Sequence, residues 1–228
     1  MNKTMKELPK EARPYEKGRI YGVGSLSDAE LLAVLLRSGV PGMNSLELSE
    51  KLLHLSGESL SGLFRLDTDE LLKVPGIGTV KALQIEAVRE LANRITKSRL
   101  SVRENFLSPD YTASYYMEDL RSLKQEEVRA VFLNNRGRRI GEETVSRGSA
   151  QESLFPVREI LSKALKSGAV NLILLHNHPG GDPQPSGADI EATTRIEQAA
   201  RLSGIRLMDH IIIGDGEYFS MRREGLLH

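Results

Sequence analysis

The 228-residue sequence contains no cysteine. Disulfide bonds and thiolate metal ligands are therefore excluded, so imidazole and carboxylate groups must hold any metal ion that binds. The lack of cysteine also agrees with a reducing compartment, and we expect a cytoplasmic protein.

The sequence also lacks an excess of one charge and a long apolar run. Lys plus Arg and Asp plus Glu number 31 each, so the formal net charge is zero. Without a net positive field, any binding to nucleic acid or to an anionic surface must be local. No apolar run approaches the ~20 residues that span a bilayer, so we expect a soluble protein without membrane association. Composition leaves the partners and the oligomeric state open.

The length is sufficient for two domains, and we predict a helical domain at 1–99 and a mixed domain at 100–228. Residues 1–24 are polar and contain several prolines and glycines, which predicts a loosely structured lead-in that could pack on the helices after it. Residues 98–109 show no periodicity and are interpreted as the linker between the domains.

Helical patterns begin at Ser27, which forms a capping box with Glu30 ahead of a short apolar run. Further helices are predicted at 46–55 and 69–73. A long helix follows, and its apolar side is predicted to consist of Val80, Leu83, Ala87, Leu91 and Ile95.

The turn before the long helix, Val74-Pro-Gly-Ile-Gly-Thr79, resembles the hairpin of helix-hairpin-helix DNA-binding modules, and residues 38–42 resemble a degenerate copy. Two glycines permit tight backbone geometry, and the free amides at the start of the next helix could face a phosphate. Such contacts would hold the DNA backbone and read no bases. A tight helix-helix turn with solvated charges explains the pattern equally well. The candidate nucleic-acid-binding residues are Gly76, Ile77, Gly78, Thr79 and Lys81.

The second half alternates between strand and helix patterns, which predicts an α/β or α+β sandwich around one sheet. A turn at 134–137 joins the first two strands as a hairpin. The predicted strands are 128–133, 140–146, 170–175, 205–213 and 218–221, and the predicted helices are 110–122, 157–165 and 190–202.

His176, His178, Ser186 and Asp189 bring two imidazoles, a hydroxyl and a carboxylate into one short stretch. The histidines follow an apolar strand, where residues i and i+2 point to the same face and can approach one ion. Prolines and glycines at 179–185 reverse the chain, and Asp189 returns on the first turn of the next helix. Two histidines and one carboxylate leave a fourth tetrahedral position for water, which is the composition of a catalytic zinc site.

Less specific interpretations exist for the parts of this stretch. Ser186 and Asp189 fit a capping box, and Asp in a first helical turn is favoured by the helix dipole with or without metal. An isolated His-x-His pair is commonly a surface or hydrogen-bonded pair. Because only five histidines occur in the chain, the presence of two of them beside an acidic helix start favours the metal site.

The spacing His-x-His, seven residues, Ser, two residues, Asp resembles the JAMM motif of MPN-type metalloproteases. Nearly the whole chain resembles the RadC family, which was named for DNA repair although its C-terminal half is similar to JAMM hydrolases. The segments that carry this resemblance are, in chain order, Pro-Gly-Ile-Gly78, Val131-Phe-Leu-Asn134, Val-Ser-Arg-Gly-Ser149, Arg158-Glu159, His-Asn-His-Pro179 and Leu207-Met-Asp-His-Ile-Ile-Ile-Gly-Asp-Gly216.

The resemblance implies a JAMM/MPN-like mixed sheet flanked by helices, preceded by a small all-α helix-hairpin-helix domain. It also implies that zinc is bound by His176, His178 and Asp189, and that Ser186 supports the oxyanion of the reaction.

A catalytic glutamate is implied at the start of the strand ending Val131-Phe-Leu-Asn134. Alignment on that strand gives Glu126, with Glu127 as the alternative, since a slip of one residue turns the side chain to the opposite face. His210 is interpreted as a core or supporting histidine rather than a ligand. The sequence departs from the family pattern at Gly180 and before Arg158, which concerns substrate shape more than metal binding.

The leading hypothesis is a zinc-dependent hydrolase of peptide or isopeptide bonds, with a protein or peptide as substrate. The alternative is an accessory DNA-binding protein of DNA repair or recombination whose metal fold has no turnover. Hydrolysis of phosphodiesters ranks last, because one metal with one general base suits acyl transfer better than the two-metal arrangement of nucleases. Whether 179–185 forms a lid or a fixed rim is left open.

Overall fold

The structure is a computed structural model, and the residues that it describes are 5–101, 104–148 and 155–227. The chain divides into two compact units, Met1–Ala92 and Asn93–His228. A long helix, Thr79–Ser101, runs through the point of division. The predicted domain boundary after residue 99 stays a prediction. Ser149, one of the residues that carry the family resemblance, lies outside the described residues.

In the described part of the N-terminal unit, the regular secondary structure is helical. Short 3-10 turns occur at Met5–Glu7, Lys10–Ala12 and Val23–Ser25. The α-helices are α1 (Pro14–Tyr21), α2 (Asp28–Leu36), α3 (Ser45–Leu55), α4 (Leu60–Leu63), α5 (Thr68–Leu72) and α6 (Thr79–Ser101).

Helix α1 lies in the stretch that was predicted to be loosely structured. Pro14 occupies its first turn, where the fixed φ of proline is already helical and the missing N–H would have had no helical partner. Lys17 donates to both carboxylate oxygens of Glu30 at 2.9 and 2.7 Å, which ties α1 to α2. The prediction is wrong for this part because the proline starts a helix instead of breaking one.

The predicted capping box of α2 is confirmed. Ser27 accepts a hydrogen bond from the Glu30 amide at 3.2 Å, and Glu30 accepts one from the Ser27 amide at 2.8 Å. The same motif begins α3 and α5. The buried apolar core of this unit consists of Leu32, Leu36, Leu48, Leu52, Leu53, Leu63, Leu71, Val74, Ile77, Ala82 and Ile85.

Helix α6 buries a different face from the predicted one. Val80 and Leu83 are 73% and 65% exposed, whereas Ala82 and Ile85 belong to the core. Both faces are apolar, so spacing alone did not distinguish them. The helix also continues to Ser101, so the first part of the predicted linker is helical. Across the described residues, no helix combines the length and apolarity needed to cross a membrane.

The C-terminal unit contains one five-stranded sheet in the order β2-β1-β3-β4-β5. Strand β3 pairs antiparallel with β1 and parallel with β4, so the sheet is mixed, which confirms the predicted fold class. The strands are β1 (Glu127–Leu133), β2 (Arg139–Arg147), β3 (Asn171–Asn177), β4 (Arg206–Ile213) and β5 (Tyr218–Ser220), and the helices are α7 (Pro109–Leu120), α8 (Val157–Lys166) and α9 (Gly187–Leu202).

Successive residues of β3 face opposite sides of this sheet. Leu172 and Leu174 belong to the core that includes α8 and α9, whereas Ile173 and Leu175 pack in the core that includes α7. By the same alternation His176 is directed to the side of α8 and α9. Because α9 connects β3 to the parallel strand β4, its first turn lies beside the carboxyl end of β3, where ligands bind in sheets of this kind.

Candidate metal centre

Three predicted side chains converge where β3 ends and α9 begins. His176 Nε2 lies 2.9 Å from His178 Nε2. The Asp189 carboxylate approaches both rings, with Oδ1 3.4 Å from His176 Nε2 and Oδ2 3.5 Å from His178 Nε2. His176 and Asp189 are buried and His178 is half-buried. The structure therefore brings together three ligand atoms that lie within 4.8 Å of one another.

His178 is oriented by the segment that follows it. Its Nδ1 lies 2.8 Å from the Asp182 carbonyl oxygen, which can only accept, so Nδ1 carries a proton and, in the neutral ring, Nε2 presents its lone pair. The His178 amide donates to Ile213 O at 2.9 Å, and the Asp215 amide donates to Gly181 O at 2.9 Å. These contacts connect the segment 179–185, the rim of the site, to the turn after β4.

His176 is supported from the other side of the site. Its Nδ1 lies 2.7 Å from Nε2 of His210, a fully buried residue of β4. Phe155 contacts both rings edge-on, with ring centroids 5.5 Å from His176 and 5.2 Å from His210. His210 therefore lies behind His176 and outside the three converging side chains.

His176 and Asp189 have the protonation that a metal ion requires, whereas a metal ion must compete with a proton at His178. Burial lowers the pKa of His176 to about 4, so this ring is neutral at neutral pH. A hydrogen bond with Asp189 raises the pKa of His178. Burial opposes ionisation of Asp189, but hydrogen bonds from His178 and Ser186 outweigh it and hold the pKa of this carboxyl below its usual range. A neutral imidazole and an ionised carboxylate are the forms in which metals are bound.

The donor set itself fits a metal ion. With Nδ1 of His178 committed to Asp182, two Nε2 atoms and a carboxylate face one another, and their lone pairs repel unless a cation or a proton lies among them. Two imidazoles and one carboxylate leave an open coordination position, as in catalytic zinc sites.

The structure places the two candidate glutamates in different surroundings. Glu127 is buried, and its carboxylate accepts from Arg129 at 2.6 and 3.0 Å, from Thr144 at 3.0 Å and from Arg147 at 2.8 Å. Glu126 is half-buried and precedes Val128 by two residues, and Val128 packs in the core on the side of α8 and α9, to which His176 is also directed. The catalytic role of Glu126 stays a prediction.

Ser186 caps α9 in the way that the less specific interpretation predicted. Its hydroxyl donates to Asp189 Oδ2 at 2.6 Å and accepts from the Asp189 amide at 3.2 Å. The Ser186 amide donates to the same carboxylate oxygen at 2.8 Å. The cap thus fixes the orientation of the Asp189 carboxylate, and the predicted oxyanion role would require the exposed hydroxyl to turn away from it.

The predicted nucleic-acid-binding residues do not share one environment. Ile77 packs in the core of the N-terminal unit. Lys81 donates to Gly76 O at 2.9 Å and to Gly39 O at 3.4 Å, and burial lowers its pKa, so it bridges the two glycine-containing turns. Gly78 has open space around it, and Thr79 is the first residue of α6. Their role in nucleic-acid binding stays a prediction.

Sequence reasoning missed Asp182, whose main-chain oxygen orients His178, and Thr193, which hydrogen-bonds to His210 at 2.6 Å. Thr193 lies four residues after Asp189 and therefore on the same face of α9. From this spacing its position near the site could have been predicted. The carbonyl of Asp182 carries no signal in the sequence, because main-chain contacts depend on the path of the rim.

A mixed sheet that carries His-x-His at a strand end and Asp on the next helix defines a protein with a JAB-type domain. The family model described as RadC-like JAB domain matches residues 106–226, and the model described as UPF0758 N-terminal matches residues 5–83. The chain belongs to the RadC family.

Curated relatives share the whole length of the chain. A UPF0758 protein of Desulfitobacterium hafniense (strain DSM 10664 / DCB-2) is 42% identical over 225 residues, which cover 99% of each chain. The UPF0758 protein GWCH70_2550 of Geobacillus sp. (strain WCH70) is 41% identical over 226 residues, again 99% of each chain. A UPF0758 protein of Pelobacter propionicus is 40% identical over 225 residues, 98% of each.

Proposed function

We propose that this protein is a zinc-dependent hydrolase of the JAMM type that cleaves a peptide or isopeptide bond. The observation that carries the proposal is the convergence of His176 Nε2, His178 Nε2 and the Asp189 carboxylate. These three groups would hold the ion. The fold supports the proposal because JAB-type domains are often metallohydrolases.

When bound, a zinc ion in such a site activates a water molecule and polarises the carbonyl group under attack. Glu126 supplies the general base that this chemistry requires, since it takes up the proton of the attacking water and delivers it to the leaving amine. Glu127 is unsuited to this role because its carboxylate is engaged with two arginines and a threonine. The Ser186 hydroxyl donates to the developing oxyanion once it has turned from Asp189.

Metal analysis of the purified full-length protein tests the proposal. We expect about one zinc per chain in the wild type, because all three ligands are preformed. His176→Ala should lose the metal. His54→Ala is the matched control, since the His54 side chain is 81% exposed and pairs only with Glu58 among the described ion pairs. Absence of metal from the wild type, or its retention by His176→Ala, would contradict the proposal.

A second candidate function, DNA binding by the N-terminal unit, is supported by the contact between its two turns. Gly76 has a φ of 102°, and a Cβ on it would lie 2.9 Å from Val40 Cγ1 of the earlier turn. Two adjacent turns, each followed by a helix start, offer amides to a phosphate backbone. Such binding would favour an accessory role in DNA repair.

Salt-dependent titration of duplex and branched DNA tests this second candidate. Gly78→Glu adds a negative charge in open space at the start of α6 and should abolish binding at low salt. Ala87→Glu adds the same charge to an exposed position further along the helix and should retain it. Equal binding by both variants would count against the turns as the DNA site.

A further inference from the structure

A chain of three buried hydrogen bonds connects the main chain of Asp189 to His176. Thr193 Oγ1 donates to the Asp189 carbonyl oxygen at 2.6 Å. The same Oγ1 lies 2.6 Å from His210 Nδ1, and His210 Nε2 lies 2.7 Å from His176 Nδ1. Thr193, His210 and His176 are 1%, 0% and 2% exposed, so water does not compete for these bonds.

The direction of every bond in this chain follows from its first acceptor. A carbonyl oxygen only accepts, so the single hydroxyl proton of Thr193 is committed to Asp189. His210 Nδ1 must therefore donate to Thr193. With its proton on Nδ1, the His210 ring offers a lone pair at Nε2 to His176 Nδ1 at 2.7 Å, so His176 Nδ1–H is the donor of this bond.

This polarity leaves His176 with its lone pair on Nε2, the atom that faces His178 and Asp189. We infer that Thr193 and His210 are positioning residues that set the tautomer of His176 for metal binding. The inference rests on the proposed function, because it assigns a purpose to the lone pair on Nε2. With the opposite polarity, an N–H group would point into the site and block coordination.

Packing alone does not account for Thr193. Valine has nearly the same shape and would fill the same space, but it has no oxygen to accept from His210. Without that acceptor, the Nδ1–H tautomer of His210 is no longer favoured, and the direction of the hydrogen bonds between His210 and His176 can reverse. The hydroxyl therefore has a role that is distinct from the stability of the core.

Zinc affinity and histidine tautomers of the full-length protein test the inference. Thr193→Val should weaken zinc binding ~10–100-fold in a chelator competition, the usual effect of losing a partner of a metal ligand. In the metal-free protein, nitrogen NMR shifts should place the His176 proton on Nδ1 in the wild type and on Nε2 in Thr193→Val. Thr193→Ser keeps the hydroxyl and should restore both properties.

Thr194→Val is the matched control. Thr194 Oγ1 makes the same type of bond, to Ile190 O at 2.9 Å, but the residue is exposed and has no contact with His210 among the described hydrogen bonds. This variant should bind zinc as the wild type does. His210→Gln gives a second test that does not depend on residue 193, since its amide can accept from His176 and donate to Thr193 and should preserve binding where His210→Leu does not.

The outcomes separate the two levels of the proposal. If the wild type binds no zinc, the proposed function is wrong. The tautomers measured by NMR would still decide the direction of the three hydrogen bonds. If the wild type binds zinc and Thr193→Val binds it equally with the His176 proton still on Nδ1, the inference is overturned and the metal site stands.

Discussion

Gly214 and Gly181 approach so closely that a Cβ on Gly214 would lie 2.2 Å from the Gly181 carbonyl oxygen. The rim of the candidate metal centre is held at this point, because the next amide, that of Asp215, donates to the same oxygen. Any side chain introduced at residue 214 would therefore displace the rim, and with it the Asp182 carbonyl that orients His178.

The first prediction follows from this contact. Gly214→Ala should weaken zinc binding about 10-fold or more, because His178 loses the acceptor that fixes its tautomer. Gly180→Ala, in the rim itself, meets nothing within 4 Å and should leave the affinity unchanged. Chelator competition measures both. Equal affinities would show that the rim can shift without disturbing His178.

The second prediction separates the two adjacent glutamates. Glu126→Gln should retain zinc and lower the rate of peptide-bond hydrolysis ~100-fold or more, since it removes the proposed general base. Glu127→Gln should instead lower the free energy of unfolding by about 1–3 kcal/mol, because Arg129 loses its buried partner. Rates and urea unfolding curves of both variants test this. The opposite pattern would assign the base to Glu127.

The third prediction concerns pH. Burial lowers the pKa of His176 to about 4, below the ~6.5 of an unfolded chain, so the unfolded state binds more protons as the pH falls. The free energy of unfolding is therefore unaffected by His176 above pH ~6.5 and decreases as the pH falls towards ~4. His176 alone accounts for a decrease of about 3 kcal/mol. Burial also lowers the pKa of His210, which adds to the loss, whereas the raised pKa of His178 opposes it.

Urea unfolding of the metal-free protein between about pH 7 and about pH 4.5 measures this dependence. We expect a net loss of stability on acidification, since two buried neutral imidazoles outweigh one that gains a proton beside Asp189. His210→Gln should flatten the curve, while His54→Gln at an exposed position should not. A flat or rising profile in the wild type would contradict the prediction.

The fourth prediction tests which face of α6 is buried. Ile85→Ala should lower the free energy of unfolding by about 2–5 kcal/mol, because Ile85 is 2% exposed within the core. Leu83→Ala should change it by less than about 0.5 kcal/mol, because Leu83 is 65% exposed. Urea unfolding distinguishes the two. Comparable losses would mean that the face predicted from the spacing is buried as well.

The two apolar faces of α6 also show what sequence patterns leave undetermined. The apolar series that begins at Val80 has helical spacing, and so does the pair Ala82 and Ile85, so periodicity predicted a helix without saying which side meets the core. The strands of the C-terminal unit were predicted more closely, since their buried runs are short and bounded by turns. His176 and Asp189 were predicted because their spacing is local.

Partners that come from elsewhere in the fold could not be predicted in this way. Lys81 was a candidate for nucleic-acid binding because it follows a glycine turn, and this role stays a prediction. Its bond to Gly39 O, which lies 42 residues earlier in the chain, could not be predicted. His210 was predicted to support the site, yet its bond to Thr193 depends on how α9 packs against β4. Such hydrogen bonds depend on tertiary packing, and spacing along the sequence does not identify both partners.

The pairing of β1 with β3 has a consequence for the chemistry of the site. Val128 lies opposite His176, so residues of alternate parity along β1 are directed toward and away from the ligands. A slip of this pairing by one residue would exchange the environments of Glu126 and Glu127 and leave the three ligands intact. On the proposed mechanism, metal binding is encoded by a local motif, whereas turnover is encoded by strand register.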